Sequence, residues 1–152
     1  MLALAALAWP ARADAQGFHE WQLFGVALAS QPAVYAGGLG YGWRDAGRTR
    51  VQLALAGGVT DDDRAVGRGE LAWHFLLDPR RRSGVGVYGG GGLAVSAIES
   101  GGGPDVFLQA VVGLETGPAA RRGVFLEAGF GGGARFALGF RFRSQRAPPA
   151  AR

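Results

Sequence analysis

The chain has 152 residues, 16 basic and 12 acidic side chains, and a formal net charge of +4. Its charged fraction is 18%, which is below the usual value of about 25% for soluble domains, and it has no cysteine. One domain is expected from this length, and the lack of cysteine excludes a disulfide framework, a lipoprotein anchor and thiolate chemistry. The arginines are spread through strands and turns without a basic helix, so the sequence predicts no nucleic-acid partner.

Residues 1–15 have the pattern of an export signal peptide. An apolar run from Leu2 to Trp9 precedes Ala13-Asp14-Ala15, an A-x-A cleavage site that would place the mature start at Gln16. Because no positive charge precedes the apolar run, a buried helix or strand is the alternative interpretation of this segment. No other stretch reaches the roughly 18 apolar residues of a transmembrane helix.

Beyond the signal peptide, apolar residues recur at every second position, which is typical of β-strands with one face in an apolar medium. The clearest run places Tyr35, Leu39, Tyr41 and Trp43 on one face and small residues on the other. Each segment is close to the 9–11 residues or so that a tilted strand needs to cross a bilayer. Eight strands are expected near residues 18–29, 33–44, 48–59, 66–77, 85–98, 106–116, 123–131 and 134–143.

The connectors between these strands are short and rich in Gly, Pro, Asp and Ser. Neighbouring strands should therefore form antiparallel hairpins, and an even number of strands returns both ends to the same side. The predicted fold class is all-β, an eight-stranded antiparallel up-and-down transmembrane β-barrel over residues 16–143. Residues 144–152 are rich in Pro, Ala and Arg and are predicted to form a disordered C-terminal tail.

Two strands depart from the clean alternation. Phe24 and Leu28 fall on the nominally polar face of the first strand, and the fifth strand is mostly glycine. A soluble, periplasmic lipocalin-like barrel that binds a small apolar ligand would show the same alternation, with its apolar face inside. The small residues at the middle of the polar face favour a narrow, crowded lumen and hence the membrane alternative.

Aromatic residues gather at the strand ends of one predicted rim, as in the interfacial girdle of a membrane barrel. The predicted girdle consists of Trp21, Tyr41, Trp43, Trp73, Phe75, Phe140 and Phe142.

Over residues 18–142 the chain resembles the small outer-membrane β-barrel family of eight-stranded OmpA/OmpX-like proteins. The most specific segment is Phe136-Ala137-Leu138-Gly139-Phe140-Arg141-Phe142, which is similar to the C-terminal β-signal that the barrel-assembly machinery reads in that family. The final aromatic residue usually ends the family's chains, whereas ten residues follow Phe142 here. The resemblance implies an integral protein of the bacterial outer membrane with a structural or surface-interaction role. Its expected partners are outer-membrane lipids, lipopolysaccharide and the assembly machinery.

Charged residues on the polar faces predict a charge network inside the barrel. An ion pathway or gate is one interpretation. We expect instead that opposite charges pair and plug a lumen just wide enough for side chains. The predicted members are Arg50, Arg68, Glu70, His74, Glu115, Glu127, Arg135 and Arg141.

A membrane-lipid hydrolase is a third alternative, because some eight-stranded barrels deacylate lipid A with His, Ser and Glu. Their His and Ser lie two positions apart on one strand, but Leu76 follows His74 and Trp21 follows His19 at that spacing. Ser96 lies at the far end of the strand after His74. The sequence therefore predicts no enzyme, no cofactor and no metal site.

The predicted turn after the third strand carries three consecutive carboxylates, Asp61, Asp62 and Asp63. They are a candidate contact for a divalent cation that bridges to lipopolysaccharide. Consecutive aspartates lack the spaced ligands of a dedicated calcium loop, so a solvated, self-repelling turn is the favoured interpretation.

Overall fold

The computed structural model describes residues 18–44, 48–81, 83–99 and 102–144, so the predicted signal peptide lies outside the described residues. These residues form a closed barrel of eight strands in chain order, each antiparallel to its neighbours. This confirms the predicted barrel, and every strand end lies within one residue of its predicted position. The strands are β1 (Phe18–Ala29), β2 (Val34–Arg44), β3 (Thr49–Thr60), β4 (Ala65–Leu76), β5 (Val85–Ile98), β6 (Asp105–Thr116), β7 (Arg122–Phe130) and β8 (Ala134–Ser144).

The predicted tail begins at residue 144, but Ser144 is the last residue of β8, where it pairs with His19 of β1. Residues 145–152 lie outside the described residues. No helix in the described part of the chain is long and apolar enough to span a membrane.

The strand ends define two rims. The terminal rim contains the start of β1, the end of β8 and the connectors that follow β2, β4 and β6. The loop rim contains the connectors that follow β1, β3, β5 and β7. Closure joins β1 to β8, with Trp21 paired to Phe142 near the terminal rim and Ala29 paired to Ala134 at the loop rim.

Burial alternates along the strands and places the apolar face outside. On β3, Leu55 is 66% exposed whereas its neighbour Ala54 is 1% exposed. The same holds for Leu126 and Leu138, which are about half exposed on β7 and β8. An outer surface this apolar is the reverse of the soluble lipocalin-like alternative, in which the apolar side chains would line the lumen.

The first strand obeys the alternation after all. Phe24 and Leu28 point into the lumen, where they are 6% and 3% exposed. With Val26, Val34 and Val66 they belong to an apolar cluster inside the barrel. Most of this cluster lies on β1 to β4, so one part of the lumen wall is apolar.

The inward glycines let neighbouring strands and their side chains come close together. A Cβ added to Gly90 would overlap the carbonyl oxygen of Trp73 and lie 2.8 Å from the His74 ring. A Cβ added to Gly113 would overlap the ring of Tyr88. The glycine-rich β5 and the glycine of β6 therefore leave the space that Tyr88 and His74 occupy, as a narrow lumen requires.

The outward glycines are different, because a Cβ added to Gly67 on β4 would have no atom within 4 Å. We predict that Gly90→Ala lowers the free energy of unfolding by about 1–3 kcal/mol through overpacking. The matched change Gly67→Ala should stay within about 0.5 kcal/mol of the wild type. Urea unfolding in lipid vesicles measures both values. Equal losses would contradict the assignment of the two faces.

Candidate functional site: the charged lumen

Ten charged side chains are buried inside the described barrel, each at most 7% exposed. Seven of the eight predicted members of the network are among them, and each of these seven takes part in an ion pair. The buried charged residues are Glu20, Glu70, Glu115, Glu127, Arg44, Arg50, Arg68, Arg135, Arg141 and Arg143.

Near the terminal rim the network centres on Glu115 of β6. One oxygen of this carboxylate, Oε2, accepts hydrogen bonds from Arg50 at 2.9 Å, from Arg143 at 3.0 Å and from Arg141. Glu20 of β1 accepts a second bond from Arg143 at 2.8 Å and lies 3.3 Å from the Nε of Arg50. Two carboxylates thus hold three arginines, and the pairs join β1, β3, β6 and β8.

At mid-height the network passes through Glu127 of β7 and Tyr88 of β5. Glu127 accepts hydrogen bonds from Arg135 at 2.8 Å, from Arg141 at 3.2 Å and from the Tyr88 hydroxyl at 2.7 Å. The guanidinium groups of Arg50 and Arg141 each lie 4.8 Å from the centre of the Tyr88 ring. Cations that stack on an aromatic face away from water are attracted by its quadrupole, so Tyr88 contributes through both its ring and its hydroxyl.

Towards the loop rim the chain of pairs continues through Glu70 of β4. Its Oε2 accepts from Arg135 at 3.0 Å, and its Oε1 accepts from Arg68 at 2.7 Å. Arg68 also donates to the backbone carbonyl of Gly131, in the turn after β7, at 2.9 Å. Alternating acids and bases therefore run from Arg143 to the opposite end of the lumen.

His74 differs from the other predicted members. It is 1% exposed and points inward, but its ring packs 5.2 Å from the Tyr88 ring and makes no ion pair among the described residues. The structure therefore places His74 beside the network as a packed aromatic side chain.

Sequence reasoning missed several members of the lumen. Glu20 and Gln22 share a face of β1 with Phe24 and other apolar residues. Because that face mixes polar and apolar side chains, the sequence does not show clearly that it points inward. The glycines that follow Tyr88 give no alternating pattern from which its direction could be predicted. Arg143, in contrast, lies two positions after Arg141 and so belongs to the same face of β8. Gln22 and Gln52 share a hydrogen bond of 2.9 Å inside the barrel. A strict two-residue alternation, with the even positions of β1 and the odd positions of β8 pointing inward, would have found Glu20, Gln22 and Arg143.

The buried charges do not balance. Six arginines face four glutamates, which leaves an excess of two positive charges inside the described barrel. Part of this excess is satisfied by backbone at the terminal rim, where Arg143 donates to the carbonyl oxygens of Gly117 and Ala120 at 2.9 and 3.1 Å. Arg44 lies 3.5 Å from the carbonyl oxygen of Pro118. The positive end of the lumen is therefore covered by the connector after β6.

The predicted aromatic girdle lies on the outer face near the terminal rim, and all seven side chains are at least 38% exposed. Register places Trp21 beside Tyr41 and Trp43 beside Val51, which in turn faces Trp73. The rings of Trp21 and Tyr41 meet edge to face at 5.0 Å. Such a ring of amphipathic side chains suits the boundary between lipid and water.

The three aspartates serve the turn after β3. Asp61 accepts a hydrogen bond of 3.1 Å from the Ala33 amide, and Asp62 forms an ion pair of 2.8 Å with Arg64. Hydrogen bonds from Arg64 and Thr60 hold the pKa of the Asp62 carboxyl below its ordinary value. No group of three or more His, Cys, Asp or Glu side chains in the described ranges is arranged to hold a metal ion. The contact with a divalent cation stays a prediction.

The register also places the candidate hydrolase residues far apart. Ser96 pairs with Arg68, six residues along β4 from His74, a separation of about 20 Å. A general base must lie within hydrogen-bond reach of the hydroxyl that it deprotonates. His74 and Ser96 do not meet this requirement.

No family model and no curated protein matches the chain. The solved structures that are similar to it include the following two. The N-terminal β-barrel domain of Pseudomonas aeruginosa OprF aligns with a TM-score of 0.61 and 15% identity, over 86% of this chain and 100% of that one. Neisserial surface protein A, NspA, aligns with a TM-score of 0.59 and 11% identity, over 88% of this chain and 100% of that one. The chain therefore has the fold of the small eight-stranded outer-membrane barrels, as its sequence pattern predicts.

The network predicts that neutralising a buried carboxylate lowers the free energy of unfolding more than neutralising an exposed one. Glu127→Gln keeps the shape of the side chain but removes the negative charge that pairs with Arg135 and Arg141, together with one of the two acceptor oxygens. Breaking a buried ion pair in this way costs about 3–5 kcal/mol of unfolding free energy. The control Asp78→Asn removes an exposed pair with Arg81 at 3.7 Å and should cost less than about 1 kcal/mol. Unfolding in urea measures both changes. Similar losses of unfolding free energy would show that the ion pairs in the lumen stabilise the barrel no more than an exposed pair does.

Proposed function

We propose that the protein is an integral protein of the bacterial outer membrane with a structural or surface-interaction role, without transport or catalysis. The observation that carries the proposal is the polarity of the barrel, with Leu, Val and aromatic side chains outside and paired charges inside. A hydrocarbon environment stabilises such an outer face, and the closed ladder leaves no backbone edge unpaired in lipid.

The outer face has the dimensions of a membrane band. On β2, exposed Tyr35 and Trp43 lie eight residues apart, roughly 27 Å along the strand, which spans roughly 20 Å of membrane height at a tilt of about 40°. The apolar band of outer-membrane barrels is about 25 Å tall and is flanked by aromatic girdles. Phe130 and Phe136 accompany Tyr35 towards the loop rim. These positions support a barrel that crosses one bilayer.

The side chains inside the lumen support a barrel without an open channel. Arg50, Arg141, Tyr88 and Phe125 all lie inside the barrel, and each is at most 2% exposed. Arg141 stacks on Phe125 at 4.3 Å as well as on Tyr88, which leaves little width for an ion path. We assign the charge network the part of a plug that also holds distant strands together.

Conductance tests the plug. In planar bilayers the protein should give no porin-sized steps, because the side chains of the network fill the lumen. Tyr88→Ala removes the largest neutral side chain of the network and should increase the frequency or size of openings. Leu93→Ala, on the outer face of the same strand, is the matched control and should leave conductance unchanged. Porin-sized steps in the wild type would refute the plug.

The charges of the rims suggest an orientation. The loop rim is acidic, and we propose that it faces outward, where divalent cations bridge it to lipopolysaccharide. The terminal rim is basic and would face the phospholipids of the inner leaflet, where each arginine is worth about 1 kcal/mol. The alternating residues of β8 would be read by the barrel-assembly machinery. The loop rim has Asp61, Asp62, Asp63, Glu99 and Asp105 against Arg64, and the terminal rim has Arg80, Arg81, Arg121 and Arg122 against Asp78.

Cysteine labelling tests location and orientation together, since the chain has no cysteine of its own. Asp62→Cys on the loop rim should react with a membrane-impermeant thiol reagent on intact cells. Arg81→Cys on the terminal rim should react only after the outer membrane is permeabilised. Labelling of Arg81→Cys alone on intact cells would invert the orientation. A soluble periplasmic protein would label at neither site until permeabilised, which would overturn the membrane location.

A further inference from the structure

A cavity of about 280 Å³ lies at the loop-rim end of the lumen, above the charge network. Its walls come from five strands and from the turns after β1 and β7. Leu28, Val34, Ile98 and Phe107 make much of the wall apolar. The volume is close to the lower end of the range for small-molecule sites, which is about 300 Å³.

Arg68 lines this cavity and is 3% exposed. Its Nε donates to Glu70 and its Nη2 donates to the carbonyl oxygen of Gly131, but Nη1 has no hydrogen-bond partner among the described residues. A buried cationic N–H group without an acceptor is costly. The two oxygens of Glu70 are already shared with Arg135, so the neighbouring carboxylate is occupied.

The position of Arg68 separates it from the other arginines that have an unpartnered nitrogen. Arg50 has two such nitrogens and Arg141 has one, but both arginines lie deeper in the network and do not line the cavity. Ser96 stands directly across the β4–β5 ladder from Arg68 and lines the same cavity. The floor of the cavity therefore offers a cation and a hydroxyl beneath apolar walls.

We propose that this cavity binds a small organic monoanion with an apolar body, such as a short-chain carboxylate. The carboxylate would pair with the guanidinium group of Arg68, whose buried Nη1 would turn towards the cavity to donate to it, and the alkyl part would lie against Leu28, Val34 and Ile98. Charge-assisted hydrogen bonds of this kind are the strong ones. Asp105 also lines the cavity and repels negative charge, so a monoanion fits better than a dianion. The proposal adds a ligand site to a barrel whose proposed function needs none.

Titration calorimetry on the protein in lipid nanodiscs tests the proposal, with empty nanodiscs as the blank. Hexanoate should bind saturably, whereas acetate lacks the apolar body and 1-hexanol lacks the charge. Each comparator should bind at least about tenfold more weakly, the equivalent of about 1.4 kcal/mol. If hexanoate does not saturate, or binds no more tightly than acetate and 1-hexanol, the proposal is overturned.

Variants locate the bound anion. Arg68→Gln should weaken hexanoate by about tenfold or more, while Arg81→Gln on the terminal rim should leave the affinity unchanged. Asp105→Asn should strengthen binding, because it removes the repelling charge at the mouth. Ser96→Leu fills the cavity without touching an ion pair and should abolish binding even if Arg68→Gln fails to fold. Heat-modifiable migration on a denaturing gel reports folding of each variant. Unchanged affinity in folded Ser96→Leu would place the anion elsewhere and refute the site.

Discussion

The narrowness of a closed eight-stranded barrel is the constraint on which the other features depend. Eight strands enclose only enough space for side chains, so whatever points inward must interlock there. The inward glycines follow from this, because Gly90 and Gly113 yield space to His74 and Tyr88. Closure also pairs the backbone of every strand with two neighbours, which permits an outer face of Leu, Val and aromatic residues. Polar side chains consequently concentrate inside.

Burying ten charged side chains costs desolvation free energy, and the ion pairs of the network offset part of that cost. Each glutamate of the lumen forms ion pairs with at least two arginines, and Glu115 accepts hydrogen bonds from three. Replacing buried ion pairs by apolar side chains is often neutral or stabilising, so net stability is a weak reason for them. Geometry offers a better reason. Glu115 on β6 holds Arg50 from β3 and Arg141 from β8, strands that share no ladder with it. Such hydrogen bonds favour one register of the strands and one way of closing the barrel.

Periodicity predicts the strands because the outer face is continuous. A one-residue slip would turn a row such as Leu53 and Leu55 inward, so the pattern locates strand ends to within one residue. The partners in the lumen are different, since Arg50 and Glu115 lie 65 positions apart and meet only after closure. Glu20 was missed because Phe24 and Leu28 share its face, and Tyr88 because glycines surround it. The alternation along each strand therefore predicts which residues point into the lumen. Which of those residues pair with each other depends on the geometry of the closed barrel.

The two ends of the network are satisfied differently. At the terminal rim Arg143 ends the chain of charges against the carbonyl oxygens of Gly117 and Ala120, so backbone acceptors serve the last cation. At the loop rim Arg68 finds one such carbonyl, that of Gly131, and retains an unpartnered nitrogen. The apolar cluster begins beside it, with Val66 two residues away on β4. An unmatched cation thus borders an apolar wall where the lumen opens, and this junction follows from ending an alternating network on arginine at both rims.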